Sequence, residues 1–380
     1  DDRTDFIVGR GIDDTLDVFR NDGDGTFTLL QTVGSGSGPR DLALGDFNAD
    51  GITDVVAVNF FDDRIRVFLN NGSGFINQSQ LIDVSARPEA IVVFDADGDG
   101  DPDVAVAASQ ANVVDILIND GGTLLDPVSI PVGDSPRDIA AADVDGDGDT
   151  DLATVESSGT ATILLNDGSA TFTVNQSVAL ADGLNTLRFA QLNADNLPEL
   201  LVLNGPAGTL ERLVNLGGIF DRDLVLDVGL APQDLAVADV NADGRLDLLT
   251  ANADGRDVTL LLNDGLGGFI SRSTNAAAAR PEAVAIAELT GDDNLDVLVL
   301  DLDGDAASIL RSQCGAFEPT CPADIANNDG IVNVDDLLVL LGALGDCPPQ
   351  GDCPADLDGD GFVGTTDLLI VLAAWGPCDA

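Results

Sequence analysis

The chain has 380 residues, 67 acidic and 16 basic, for a formal net charge of −51. That balance excludes a nucleic-acid or anionic-membrane binder working by charge, since both need a basic patch. His, Lys, Met and Tyr are absent, which removes the Ser-His-Asp triad, His-bearing zinc sites, Walker-type phosphate loops and Schiff bases. Sixty of the acids are Asp and seven are Glu. Asp forms helices and strands poorly and belongs in turns and metal loops. An apolar fraction of 44% is ample for burial, against the disorder that such a charge would otherwise signal. No apolar run reaches the length of a membrane span, so none is expected. There is no signal peptide and residue 1 is not Met, so the N-terminus reads as the cut end of a processed or truncated chain.

In chain order, one phrase keeps returning: a nine-residue acidic loop, then a short apolar run. The chain opens on the tail of such a loop, Asp1-Asp2-Arg3-Thr4-Asp5, followed by Phe-Ile-Val. Full copies run from Asp46 to Asp54, Asp95 to Asp103, Asp143 to Asp151 and Asp239 to Asp247, and weaker ones from Gln191 to Glu199 and Glu288 to Asp296. Their starts are 48 or 49 residues apart. In phase with them, apolar runs end in Asn-Asp-Gly or a relative with a Phe just beyond, as in Asn21-Asp22-Gly23 with Phe27 and Asn166-Asp167-Gly168 with Phe172. Such turns between alternating apolar runs are strong hairpin signals. Pro39, Pro88, Pro136, Pro232 and Pro281 each precede the strand that enters an acidic loop. Each repeat therefore reads as four short strands, in the second repeat roughly 40–46, 54–60, 64–70 and 74–83. The period and the antiparallel turns point to a mainly β, seven-bladed β-propeller, its first blade truncated, in preference to a solenoid.

In the acidic loops, side chains at positions 1, 3 and 5 of a tight turn converge, and a carbonyl at position 7 and a carboxylate at position 9 close an oxygen cage. Hard oxygen donors suit Ca²⁺, while Mg²⁺ resists an all-protein cage. The expected ligands are Asp46, Asn48, Asp50, Ile52 (through its carbonyl) and Asp54 in the first full loop. The next two loops offer Asp95, Asp97, Asp99, Asp101 and Asp103, then Asp143, Asp145, Asp147, Asp149 and Asp151. Asp239, Asn241, Asp243, Arg245 and Asp247 follow, and last Glu288, Thr290, Asp292, Asn294 and Asp296, making about five sites. The loop at 191–199 reads as a solvated turn, because Gln191, Asn193 and Pro198 weaken the cage. Gly51, Gly100, Gly148 and Gly244 at position 6 free the backbone to turn.

These loops resemble, position by position, the calcium loops of FG-GAP/VCBS repeats, the propeller repeats of integrin α chains and many bacterial surface proteins. The resemblance covers residues 1–317. It implies a seven-bladed propeller with Ca²⁺ between the first two strands of a blade, and a role in ligand recognition or scaffolding.

After a short linker, 318–320, the composition changes. Residues 321–380 contain four of the five Cys and show helical periodicity. Asp356, Asp358, Asp360, Phe362 (through its carbonyl) and Asp367 occupy ligand positions of a 12-position EF-hand loop. Asn327, Asp329, Ile331, Asn333 and Asp336 match in a first copy whose position-1 ligand is unsettled, so one or two further Ca²⁺ sites are expected. Each loop feeds one apolar helix, 335–344 and 366–375. Paired loop-helix halves of this kind resemble type I dockerins, in a cysteine-bearing variant. The resemblance implies a calcium-dependent fold and a cohesin-like or cell-surface partner bound through 321–378. Four Cys allow three pairings. A helix of about ten residues is about 15 Å long, and a disulfide needs Cα atoms within about 7 Å. If the two motifs pack antiparallel, Cys347–Cys353 and Cys321–Cys378 are therefore expected in place of bonds within each motif, with Cys314 left over.

The leading reading is a secreted, extracellular or bacterial cell-surface protein that binds calcium and is not an enzyme. A glycan or protein ligand would sit on the propeller face opposite the acidic loops, around Phe60, Phe61, Arg64, Arg40, Arg87, Arg137 and Arg280. The plainer alternative makes Phe60 and Phe61 core residues, and the arginines solvated or paired with Asp. The rival function is a calcium-dependent polysaccharide lyase or glycoside hydrolase, the latter needing two carboxylates across a cleft.

Overall fold

The computed structural model describes residues 3–311 apart from 194, 266–267, 277–279, 292–293 and 302–305, together with the two-residue strands 331–332, 345–346, 362–363 and 376–377. The chain divides into two compact units, Asp1–Ser312 and Gln313–Ala380.

The first unit is a seven-bladed β-propeller. Blades two to six are four-stranded antiparallel sheets in simple up-and-down order, and among the described residues blades one and seven have three strands each. Blade two shows the logic, with strands Pro39–Gly45, Asp54–Asn59, Arg64–Asn70 and Ile76–Asp83 running from the axis outward. They follow the sequence reading to within two residues. The second strand of a blade is covered on both faces by the neighbouring blades, so Asp54–Asn59, Asp103–Ala108, Asp151–Glu156 and Asp247–Asn252 are buried at every residue. Hence these strands read as unbroken apolar runs. Outermost strands such as Ile76–Asp83 alternate between covered and exposed side chains. Blade one begins at the second-strand position, with Phe6–Arg10, Thr15–Asn21 and Phe27–Gly34. The innermost strands begin on their proline, and the register shifts between it and the residue two further on, as at Pro39/Asp41 and Pro136/Asp138. Proline lacks a ladder donor and is tolerated at such a bulged start.

Apolar clusters lie between successive blades. One joins Val56, Val58 and Ile65 of blade two to Ile91, Val104 and Val106 of blade three. Others repeat the arrangement as far as Leu249, Val258, Val284 and Val299 between blades six and seven. Many small interfaces thus replace one large core.

In five blades a buried asparagine forms a bond to the loop of the preceding blade. The Nδ2 of Asn119, Asn166, Asn215 and Asn263 donates to the carbonyls of Phe47, Ala96, Val144 and Leu192. Asn21 of blade one makes the same bond to Leu289 of blade seven, at 3.2 Å, and Arg311 donates to the Asp24 carbonyl at 2.8 Å. The ring therefore closes although blade one has three strands among the described residues.

Around the axis, Asp41, Asp138 and Asp234 on the innermost strands of blades two, four and six accept the backbone N–H of Ile91, Leu187 and Val284 on blades three, five and seven. Arg188 of blade five bridges its two neighbouring blades, donating to Asp138 of blade four at 2.9 Å and Asp234 of blade six at 3.1 Å. Burial, reinforced by repulsion from Asp138, pushes Asp41 up to about 7.

No helix occurs among the described residues. In the second unit Ile331–Val332 pairs antiparallel with Gly376–Pro377, and Gly345–Asp346 with Phe362–Val363. The two expected helices, all five Cys, and the side chains of Asn327, Asp329, Asn333, Asp336, Asp356, Asp358, Asp360 and Asp367 lie outside the described residues.

Candidate metal centres

The acidic loops join the innermost and second strands, all on one face of the propeller. In the loop 95–103, each ligand-type side chain is oriented by the loop's own backbone. Asp95 accepts N–H groups of Gly98 and Gly100, Asp97 accepts that of Asp99, and Asp99 accepts that of Asp101. The loop at 143–151 repeats the pattern through Asp143, Asp145 and Asp147. Gly100 and Gly148 have φ of 91° and 96°, a conformation that side chains resist. One carboxylate oxygen from each of Asp95, Asp97 and Asp99 lies within 4.8 Å of the others, and Asp143, Asp145 and Asp151 converge in the same way. Three converging carboxylates, with carbonyls nearby and no soft donor, fit a hard divalent cation of calcium's size.

Position 9 has a further role in the loops. Asp54, Asp103, Asp151 and Asp247 are fully buried at the foot of the loop. One oxygen accepts the N–H of loop position 2 (Phe47, Ala96, Val144, Val240), and the other accepts the N–H of the asparagine ending the third strand (Asn70, Asn119, Asn166, Asn263). This carboxylate therefore ties loop to blade, and in the loop 143–151 it also joins the converging group. Burial pushes Asp103, Asp151 and Asp247 up to about 6, against the pull of those two N–H groups. Burial together with Asp147 and Asp143 raises Asp145. A cation in the cage would oppose these shifts.

The remaining loops differ in what occupies the cage. In 46–54, Asp46 holds the N–H groups of Asp50 and Gly51, and Asn48 donates to Asp50 at 3.0 Å. In 239–247 the guanidinium of Arg245 binds Asp243 through Nε at 3.1 Å and Nη2 at 2.6 Å. That position enters the expected cage only through its carbonyl, but its side chain brings a cation of its own. In 191–199 the Gln191 amide donates to the Asn193 carbonyl and to Asp195, and Asn193 donates to Glu199. Amide N–H groups thus bond to Asp195 and Glu199 in this loop. In 288–296, Glu288 accepts the N–H of Thr290 and Gly291, and Asp296 accepts that of Leu289; Asp292 lies outside the described residues.

On the opposite face, the turn between the second and third strands of blade two carries Phe60 and Phe61. Phe61 is 70% exposed, so it is not a core residue. Phe60 is half-buried beneath it, ring centroids 4.9 Å apart and edge-on. The guanidinium carbons of Arg40 and Arg87 lie 5.8 and 5.3 Å from the Phe60 ring centroid. Arg40 and Arg137 share Glu89, each at 3.1 Å, and Arg280 approaches Glu282 at 3.6 Å. Arg40, Arg137 and Arg280 thus pair with Glu, while Arg64 pairs with Asp83 at 2.6 Å and Arg87 is exposed, as the plainer alternative expects. Glu89 was legible: it holds the same repeat position as Arg40 and Arg137, and equal positions meet around the axis. The asparagines that link the blades were quoted in the sequence only as turn formers. Their burial follows from the register of the third strand, which no single turn reveals.

FG-GAP-like repeats match residues 1–57, 46–106, 95–154, 143–202 and 239–299. No curated protein matches the chain in sequence. Among solved structures, a complex of BBS1N with ARL6DN superimposes with a TM-score of 0.56 at 13% identity, covering 80% of this chain and 90% of that one. A periplasmic gluconolactonase from Pseudomonas aeruginosa gives 0.55 at 17% identity, covering 70% and 78%. An Agrocybe aegerita lectin that recognises non-reducing terminal N-acetylglucosamine gives 0.51 at 19% identity, covering 79% and 88%. At these identities the likeness is one of fold.

Proposed function

The chain belongs to the FG-GAP-like repeat family, and from that premise we propose that it is a non-catalytic calcium-binding recognition or scaffold protein acting outside the cell or on a bacterial surface. The observation that carries the reading is the convergence of three carboxylates in each of the loops 95–103 and 143–151. Bound there, Ca²⁺ would supply charge neutralisation and cross-linking. Asp95, Asp97 and Asp99, and Asp143, Asp145 and Asp151, would hold it, while the position-9 carboxylates keep each loop seated on its blade. The face opposite these loops, with Phe61 and its arginines, is the recognition surface of this reading.

The unit beyond residue 312 is proposed as a dockerin-like attachment module for a cohesin-like or cell-surface partner. Its support is reciprocal pairing: position 7 of each loop, Ile331 and Phe362, lies in a strand paired with the chain that follows the other segment. A polysaccharide-acting enzyme is the second reading. It draws on the sharing of this fold with a gluconolactonase.

Calorimetric titration with Ca²⁺ and melting in EGTA test the proposal. A cation at 100 times its dissociation constant stabilises by about 2.7 kcal/mol per site, a large part of a net stability of about 5–15 kcal/mol. Chelation should lower Tm sharply, and Asp145→Ala should cost far more than Asn193→Ala. An EGTA melt unchanged at low salt removes the metal reading.

A further inference from the structure

We propose that the platform formed by Phe61, Phe60, Arg40, Arg87 and Arg137 binds a carboxylated polysaccharide, a chain of uronic-acid sugars. The proposal rests on the recognition-face reading above and names its ligand class.

Phe61 is a rigid plate. Its turn is fastened to the loop 34–38 by backbone bonds from Phe60 to Gly38 at 2.9 Å and from Phe61 to Ser37 at 3.1 Å, and Asp62 accepts the N–H of Ser37. The ring rests on Gly38, where a β-carbon would meet its Cδ2 at 2.6 Å. One side of the ring is thus held by Gly38 and the edge of Phe60, and 70% of the residue remains open. An immobilised aromatic plate offers area without an ordering cost on binding, and the C–H face of a pyranose ring is a flat partner for it.

Beside the plate, cationic groups stand among the carboxylates. The guanidiniums of Arg40 and Arg87 lie over Phe60, and Arg137 joins Arg40 through Glu89, the carboxylate those two share. Asp62 is engaged by Ser37 and Arg66, and Asp63 by the Arg87 backbone N–H. Arg87 is exposed, and its side chain makes no ion pair among the described residues. It also sits at φ 57°, where blades two and five carry Gly38 and Gly183, so this backbone position carries an arginine against its conformational preference. Guanidinium forks match carboxylates in geometry as well as charge. On a chain of net charge −51, repulsion keeps a polyanion off most surfaces, but screening over about 8 Å leaves a local cationic site usable at physiological salt. A plate for a sugar ring beside donors for its carboxylate favours a uronate chain over a neutral glycan, which would leave the guanidiniums unused. It also favours a uronate chain over an acidic peptide, which would leave the plate unused.

Fluorescence anisotropy with a labelled oligogalacturonate tests this, in buffer with calcium. A neutral oligogalactose of equal length and a poly-aspartate peptide serve as competitors. Oligogalacturonate should bind in a salt-sensitive manner. Phe61→Ala and Arg87→Gly should each weaken it about tenfold or more, as anchor residues do, at unchanged Tm; glycine suits the left-handed backbone at position 87. Absence of oligogalacturonate binding overturns the proposal, as does binding indifferent to both substitutions. Equal competition by poly-aspartate would assign the surface to acidic peptides. If the neutral sugar binds instead and Phe61→Ala abolishes it, the uronate class falls while the recognition face stands.

Discussion

Asn215 offers a measure of how strongly one blade is joined to the next. Its buried amide donates to the Val144 carbonyl of the preceding blade at 2.8 Å and to Pro198 at 3.2 Å, and its oxygen accepts the N–H of Gly217 and Gly218 at 3.0 and 2.9 Å. Asn70 holds the equivalent place in blade two. Its amide reaches only Thr53 in its own blade, at 3.1 Å, and its oxygen accepts Gly72 at 3.0 Å, both bonds being exposed. Alanine at 215 strands two carbonyls and two N–H groups in a site that is 2% exposed. At about 1 kcal/mol for each bond lost, the cost is about 4 kcal/mol. For a domain of this size that corresponds to a fall in Tm of about 8 °C, at about 2 °C per kcal/mol. Alanine at 70 should cost about 1 kcal/mol, since water replaces exposed partners. Calorimetry of both variants at saturating calcium decides. Equal losses would show that the bond between blades contributes nothing beyond the turn, and an Asn215→Ala protein that melts like wild type would mean that water fills the place of the amide.

Glu156 is fully buried, with one oxygen bonded to Thr154 at 2.7 Å and the other without a partner. Burial raises its pKa to about 7 from 4.5. The folded form therefore holds its proton more tightly than the unfolded chain, and stability falls as pH rises from about 4.5 to 7. Glu156→Gln should remove about 3 kcal/mol of this pH dependence, at about 1.4 kcal/mol per unit, and stabilise the protein at pH 8; urea unfolding at pH 5 and 8 that shows the same difference from wild type at both refutes it. Arg245→Gln frees Asp243 from its guanidinium partner and should tighten calcium binding in that loop about fivefold, for an ion pair worth about 1 kcal/mol; titration calorimetry of the variant reads this, and an unchanged isotherm sinks it. Non-reduced peptide mapping should return Cys347–Cys353 and Cys321–Cys378, and a linked Cys353–Cys378 peptide would contradict the antiparallel packing on which they depend.

Period and turn chemistry were enough to place the strands of blade two, because Asn-Gly turns and the acidic loops punctuate each repeat at fixed intervals. The convergence of Asp95, Asp97 and Asp99 was also legible, since alternate positions of a tight turn must face one point. The double duty of Asp103 was not. Its bond to the N–H of Asn119 crosses two strands and depends on their register, which turn signals leave open. Phe60 and Phe61 are adjacent and chemically identical in sequence, yet one is half covered and the other open. What separates them is the pair of guanidiniums, Arg40 and Arg87, that lie over Phe60, and composition carries no trace of that contact. Arg245 shows a further limit. By position it offers a carbonyl, and only the side-chain conformation reveals a guanidinium placed against the adjacent carboxylate.

The aspartates around the axis obey a rule of parity. Asp41, Asp138 and Asp234 couple blade two to three, four to five and six to seven, while Ala90, Thr186 and Ala283 hold the same place in the blades between. Along the axis, the innermost strands of blades two to seven thus form three coupled pairs. Deleting one of these blades would break a pair and leave an aspartate or a strand N–H without its partner, whereas deleting a matched pair would remove donor and acceptor together. Shortened rings should therefore tolerate losses in twos.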